Sequence, residues 1–110
     1  MYFLVAVINN EDILDDLITG WLDIGITDST VIETTDSLQL VSHNVPIFAG
    51  FRSLTSGGMP HNKTIFTASE DREILDQGIA YLEKLCRNSG KPDQGICFIV
   101  PVEKLIRLGI

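Results

Sequence analysis

Two amphipathic helical runs set among four apolar, partly β-branched runs, in the order β-α-β-β-α-β, predict an α+β domain of ferredoxin-like architecture. In that fold a four-stranded antiparallel sheet carries both helices on one face, because each βαβ half crosses over with the same hand. A long, aperiodic stretch after the second strand is the third feature. At 110 residues the chain holds one domain with a real core and is too short for two, so residues 1–110 are read as a single unit.

The first strand is Met1 to Ile8, where Phe3, Val5 and Val7 alternate with Leu4, Ala6 and Ile8. Both of its faces are therefore apolar. Asn10 can cap the next segment, Glu11 and Asp12 suit the positive end of a helix, and Ile13, Leu14, Leu17, Ile18, Trp21 and Leu22 recur at helical spacing. Gly25 ends that helix as a glycine just past the last turn. Thr30 to Thr35 is β-branched and forms strand two. Residues 36–62 have no stable periodicity and contain Pro46, Gly50, Gly57, Gly58 and Pro60; connections this long are seldom idle.

Strand three spans Lys63 to Ala68, and Ser69, followed by Glu70 and Asp71, opens a second helix through Ile74, Leu75, Ile79, Leu82 and Leu85 to about Asn88. Asn88 to Gly95 is turn chemistry, and Ile96 to Val100 is the fourth strand, ended by Pro101. Two helices cover one sheet face. The other, also apolar, is an interaction surface and predicts a homo-oligomer with its sheets packed inward.

Eight Lys and Arg stand against fifteen Asp and Glu, for a net charge of -7. Such a chain has no basic field to gather nucleic acid or anionic lipid. The apolar start lacks a basic leader and a cleavage site and is too short to span a bilayer, so a cytoplasmic protein without membrane insertion is expected. Cys86 falls in a helix and Cys97 in a strand, without metal-type spacing, which fits buried, reduced thiols. His43 and His61, both in the long stretch, have no metal-binding or triad context, and the acidic run Glu11, Asp12, Asp15, Asp16 is explained by the helix dipole. No catalytic or metal site is expected; the chain acts by binding.

Two segments could carry that binding. In Gly90-Lys91-Pro92-Asp93-Gln94-Gly95, glycines can leave backbone N–H groups free for an anion and Lys91 adds a positive charge. The same residues also make an ordinary helix-to-strand turn. Within the long stretch, Ile47, Phe48, Phe51 and Leu54 lie at helical spacing behind Pro46, with Arg52 beside them. Phe48, Phe51, Arg52 and Leu54 would dock a partner protein, or pack against the protein's own body.

The run Asp23-Ile24-Gly25-Ile26-Thr27 with Thr30-Val31 and Glu33, and the run Ser89-Gly90-Lys91 with Gly95, Phe98, Pro101-Val102-Glu103 and Ile106-Arg107, resemble the PII nitrogen-regulator family. The order of elements matches over nearly the whole chain; these two stretches carry the matching residues. The resemblance implies a homotrimer that binds an adenine nucleotide between subunits, with Thr30, Gly90, Lys91, Gly95 and Arg107 at the ligand. It also implies a long loop that controls a target, such as a membrane transporter or a metabolic enzyme, in nitrogen or inorganic-carbon regulation. This chain departs from the family in several places. The family's loop glycine, aspartate and lysine fall on Asp93, Gln94 and Ile96, its second tail arginine falls on Gly109, and no tyrosine lies between Asp36 and Asn62. Two basic charges are thus lost where phosphates would sit. The alternative is a constitutive trimeric adaptor that no longer binds nucleotide.

Overall fold

The computed structural model describes residues 1–37 and 61–109. Its elements are β1 (Tyr2–Ile8), a 3-10 turn (Glu11–Ile13), α1 (Leu14–Ile24), β2 (Thr30–Thr34), β3 (Asn62–Ser69), α2 (Arg72–Ser89) and β4 (Gly95–Pro101). The strands form one antiparallel sheet in the order β2-β3-β1-β4. Two helices on one face of that sheet make the ferredoxin-like fold.

The period-2 alternation of β1 sorts its side chains. Leu4, Ala6 and Ile8 are fully buried and join Ile65 of β3, Leu17 and Trp21 of α1, and Leu75 and Leu82 of α2 in a single core. Trp21 is the largest of these, and its Nε1–H donates to the Gly78 carbonyl at 3.1 Å, which satisfies the one polar atom that burial would otherwise orphan. The packing is so close there that a Cβ on Gly78 would come within 3.3 Å of Trp21 Nε1 and 2.7 Å of the Cδ1 of Ile26, just past α1.

Gly25 (φ 114°) ends α1 as expected, and α2 runs to Ser89, one residue past the expected end near Asn88, where Gly90 (φ 68°) also takes the left-handed conformation. The helix starts differ in one respect from expectation. Asn10 caps the 3-10 turn by accepting from the Asp12 N–H at 3.2 Å. The second helix, however, is capped by Asp71, whose carboxylate accepts from the N–H groups of Glu73 and Ile74. Ser69 is the last residue of β3, opposite Tyr2, and its hydroxyl accepts from the Asp71 N–H at 3.0 Å. Strand pairing holds Ser69 extended, so the helix opens at the next competent residue.

The second sheet face carries no helix among the described residues. By register, Phe3, Ala68 and Val100 form one row across it, Thr30, Phe66, Val5 and Phe98 the next, and Ile32, Thr64, Val7 and Ile96 the third. Phe3 and Phe66 pack at 5.3 Å between ring centres. Ile96, Phe98 and Val100 remain 64%, 44% and 42% exposed. No helix among the described residues is long and apolar enough to cross a membrane.

Candidate functional site

The sharp turn between α2 and β4 begins at Gly90, whose N–H donates to the Cys86 carbonyl at 3.0 Å. No atom stands within 4 Å of where a Gly90 Cβ would lie, so its backbone angle alone explains the glycine. Gly95 has a different reason. At φ 148°, a Cβ there would overlap the Val7 carbonyl oxygen and lie 3.2 Å from the Ile8 Cα, because β4 starts directly against the end of β1. Neither glycine needs a ligand to account for it.

Gln94 holds the turn closed. Its main-chain carbonyl accepts from the Asn9 N–H at 2.8 Å and the Asn10 N–H at 3.4 Å. Its side-chain Nε2 donates to the carbonyls of Cys86 and Lys91, both at 2.7 Å, while its Oε1 accepts from Asn10 Nδ2 at 2.9 Å. Asn10, itself buried, also donates to the Ser89 hydroxyl at 3.0 Å. Asn10 is legible as a cap, whereas Gln94 is not legible as a clasp, for nothing local reveals that Asn9 and Asn10 meet it from the other end of the chain.

Lys91, the one cation of the turn, donates to the Asp12 carboxylate at 2.6 Å. That hydrogen bond, with the ammonium's charge, holds the Asp12 carboxyl below the ordinary carboxylate range. Both side chains are mostly exposed, so the pair stabilises the fold little and is open to exchange. Beside the turn, Lys91, Gln94, Gly95 and both cysteines line a cavity of about 400 Å³. Cys86 and Cys97 are unpaired thiols. Burial, with the Glu83 carboxylate adding to it, pushes Cys97 up to about 11, and burial raises Cys86 too, so both thiolates are disfavoured relative to a free cysteine.

Arg107 lies elsewhere. The Val102 N–H donates to the Met1 carbonyl at 3.0 Å, which brings the tail to the start of β1. There Arg107 lines a groove of about 750 Å³ with the 25–28 turn and Ser69, Glu70 and Asp71, which lead into α2. Asp28, Glu70, Asp71 and Glu103 face Lys104 and Arg107 in it, so the groove is acidic on balance. Arg107 also lines a smaller hollow with Phe66, the residue opposite Thr30 in the sheet. Thr30 is exposed and stands in the same row of the open face as Phe66.

The five expected ligand residues therefore do not converge. Gly90, Lys91 and Gly95 sit at the Ile8 end of β1, Arg107 lies near its Met1 end, and Thr30 stands between them on the edge strand, level with Val5. The seven residues of β1 put roughly 20 Å between its ends at about 3.3 Å per residue. Phe48, Phe51, Arg52, Leu54 and His43 lie outside the described residues. His61 is exposed, with Nδ1 3.0 Å from the Thr35 hydroxyl. Among the described residues no three His, Cys, Asp or Glu side chains group to hold a metal ion. No model of a known protein family matches the chain, and no curated protein matches it.

Proposed function

We propose that the protein is a PII-like cytoplasmic regulator, a homotrimer that binds a small anionic effector between subunits and acts on a target protein through the segment joining β2 to β3. The effector class is an adenine nucleotide, and the setting is nitrogen or inorganic-carbon control. The observation that carries this reading is the separation of Lys91 from Arg107. One subunit holds Lys91 at one end of β1 and an acidic groove with Lys104 and Arg107 at the other, and a second copy can supply what each lacks. In the assembled cleft the groove receives the uncharged base and the neighbouring copy's Lys91 meets the phosphates. The exposed apolar face supplies the association energy, at about 25 cal/mol per Å² of apolar surface removed from water.

A constitutive trimeric adaptor is the second reading, and one feature favours it. The Gln94 amide bonds to Cys86, Lys91 and Asn10, and Lys91 rests on Asp12, so these two side chains have partners without a ligand. A thermal-shift series with ATP, ADP, AMP, cyclic nucleotides and bicarbonate, run beside light scattering, separates the two. A ligand that binds only the folded trimer raises its melting temperature. A trimer that no ligand stabilises supports the adaptor, and a stable monomer at micromolar concentration removes both readings.

A further inference from the structure

The polar network around Gln94 does not stop at the turn. Asn9, the residue just past β1, donates from Nδ2 to the Asp93 carbonyl at 2.9 Å. Its own Oδ1 accepts from Asn62 Nδ2 at 3.3 Å. Asn62 is buried at the start of β3, and its Oδ1 accepts from the Thr34 hydroxyl at the end of β2. The Thr34 hydroxyl also lies 2.9 Å from that of Thr64. Thr34 and Asn62 are paired across the sheet and are the points where the chain leaves for, and returns from, the 35–61 connection.

The direction of this chain is fixed from one end to the other. The Asp93 carbonyl can only accept, so the Asn9 NH2 must face it and the Asn9 oxygen must face Asn62. Asn62 must then donate, which turns its oxygen to the Thr34 hydroxyl. A carboxylate at position 9 could not donate to Asp93, and an apolar side chain would break both bonds and leave Asn62, which is buried, with an unpaired NH2.

We infer that Asn9 is a positioning residue that couples the 90–95 turn to the paired strand ends Thr34 and Asn62, so that a displacement of one is felt at the other. The device takes its purpose from the sensor reading above, with the turn as input and the segment between the strands as output. Its existence does not depend on any ligand. A rearrangement that pulls the Asp93 carbonyl away frees the Asn9 amide to turn, and Asn62 and Thr34 must then find new partners.

The test is an NMR double-substitution cycle on the full chain without ligand. Gln94→Ala unfastens the turn and is expected to shift the Asn62 side-chain amide and the Thr34 and Asn62 backbone amides. In an Asn9→Ala background the same substitution should move those signals less than half as far, the residue being carried by the Asn9 and Asn10 N–H bonds to the Gln94 carbonyl. Asn9→Asp keeps the acceptor for Asn62 but loses the donor to Asp93, and it should cut the coupling while leaving the Asn62 NH2 paired; it also serves if Asn9→Ala does not fold. Thr34→Val should send the reciprocal effect to Asp93 and Gln94. Strand-end shifts of undiminished size without Asn9, or none with it, overturn the inference. A protein that binds no ligand in the thermal series but passes this cycle keeps the coupling and loses the sensor.

Discussion

Gly90 and Gly95 stand five residues apart in one turn, yet substituting them should cost very different amounts. Gly90→Ala puts a Cβ into open space at φ 68°, so only the left-handed backbone is penalised, by about 1–2 kcal/mol. Gly95→Ala carries a backbone penalty of about 1–3 kcal/mol. It also drives a methyl into the Val7 carbonyl and against the Ile8 Cα. Those are backbone atoms of the central strand and cannot swing aside, so β4 must lift from β1 at about 1–3 kcal/mol more. The expected total is about 4 kcal/mol. For a domain of this size each kcal/mol lowers Tm by about 4–8 °C, which gives a fall of about 16–32 °C for Gly95→Ala and about 4–16 °C for Gly90→Ala. Thermal melts followed by circular dichroism, without ligand, read both. If Gly95→Ala melts within a few degrees of the parent, the steric argument fails and the glycine must be explained by something the turn binds.

The open face gives a second prediction. Phe98 lies in its middle row at 44% exposure, so Phe98→Asp should leave the single subunit folded while reducing the particle mass in sedimentation to that of a monomer; an unchanged mass would place the interface elsewhere. The Asp12–Lys91 pair titrates in a known direction. Because its carboxyl is held down in the folded protein, the pair's contribution is present above the unfolded carboxyl's pKa and disappears as pH falls through the folded value. In Lys91→Ala the Asp12 midpoint, followed by carboxyl-carbon NMR, should rise, and no rise would mean that the pair does not form in solution. Finally, a Cys97 thiol at about 11 should alkylate far more slowly at pH 8 than free cysteine, whereas rapid modification would show the helix side of β4 to be open.

The parts of the fold legible in the sequence are those set by neighbours along the chain. Gly25 marks a helix end because the left-handed conformation is a local demand, and the alternation of Phe3 to Ile8 marks a strand with two apolar faces. The start of α2 was not legible to the residue. Ser69 and Asp71 are both good caps, and the choice between them is made by the pairing of Ser69 with Tyr2 across the sheet. Propensity has no access to that contact.

The turn after α2 shows where such reading stops. Gly90-Lys91 followed by Gly95 suggests anion chemistry because free N–H groups and a cation are what an anion requires. Whether those groups are free depends on residues from the other end of the chain. Asn9 and Asn10 take up the Gln94 carbonyl, Asp12 takes up Lys91, and Val7 dictates the glycine at 95. An effector at this turn must therefore displace Asp12 from Lys91 before it gains that charge. The exchange is inexpensive because the pair is exposed and salt-screened. The buried Asn10 and the doubly donating Gln94 amide are harder to displace. The turn thus holds its lysine by an exposed pair and its backbone by a partly buried network, and a signal it sends toward β2 and β3 passes from the Asp93 carbonyl to Asn9, with the Gln94 carbonyl's bonds to the Asn9 and Asn10 N–H groups as a second route.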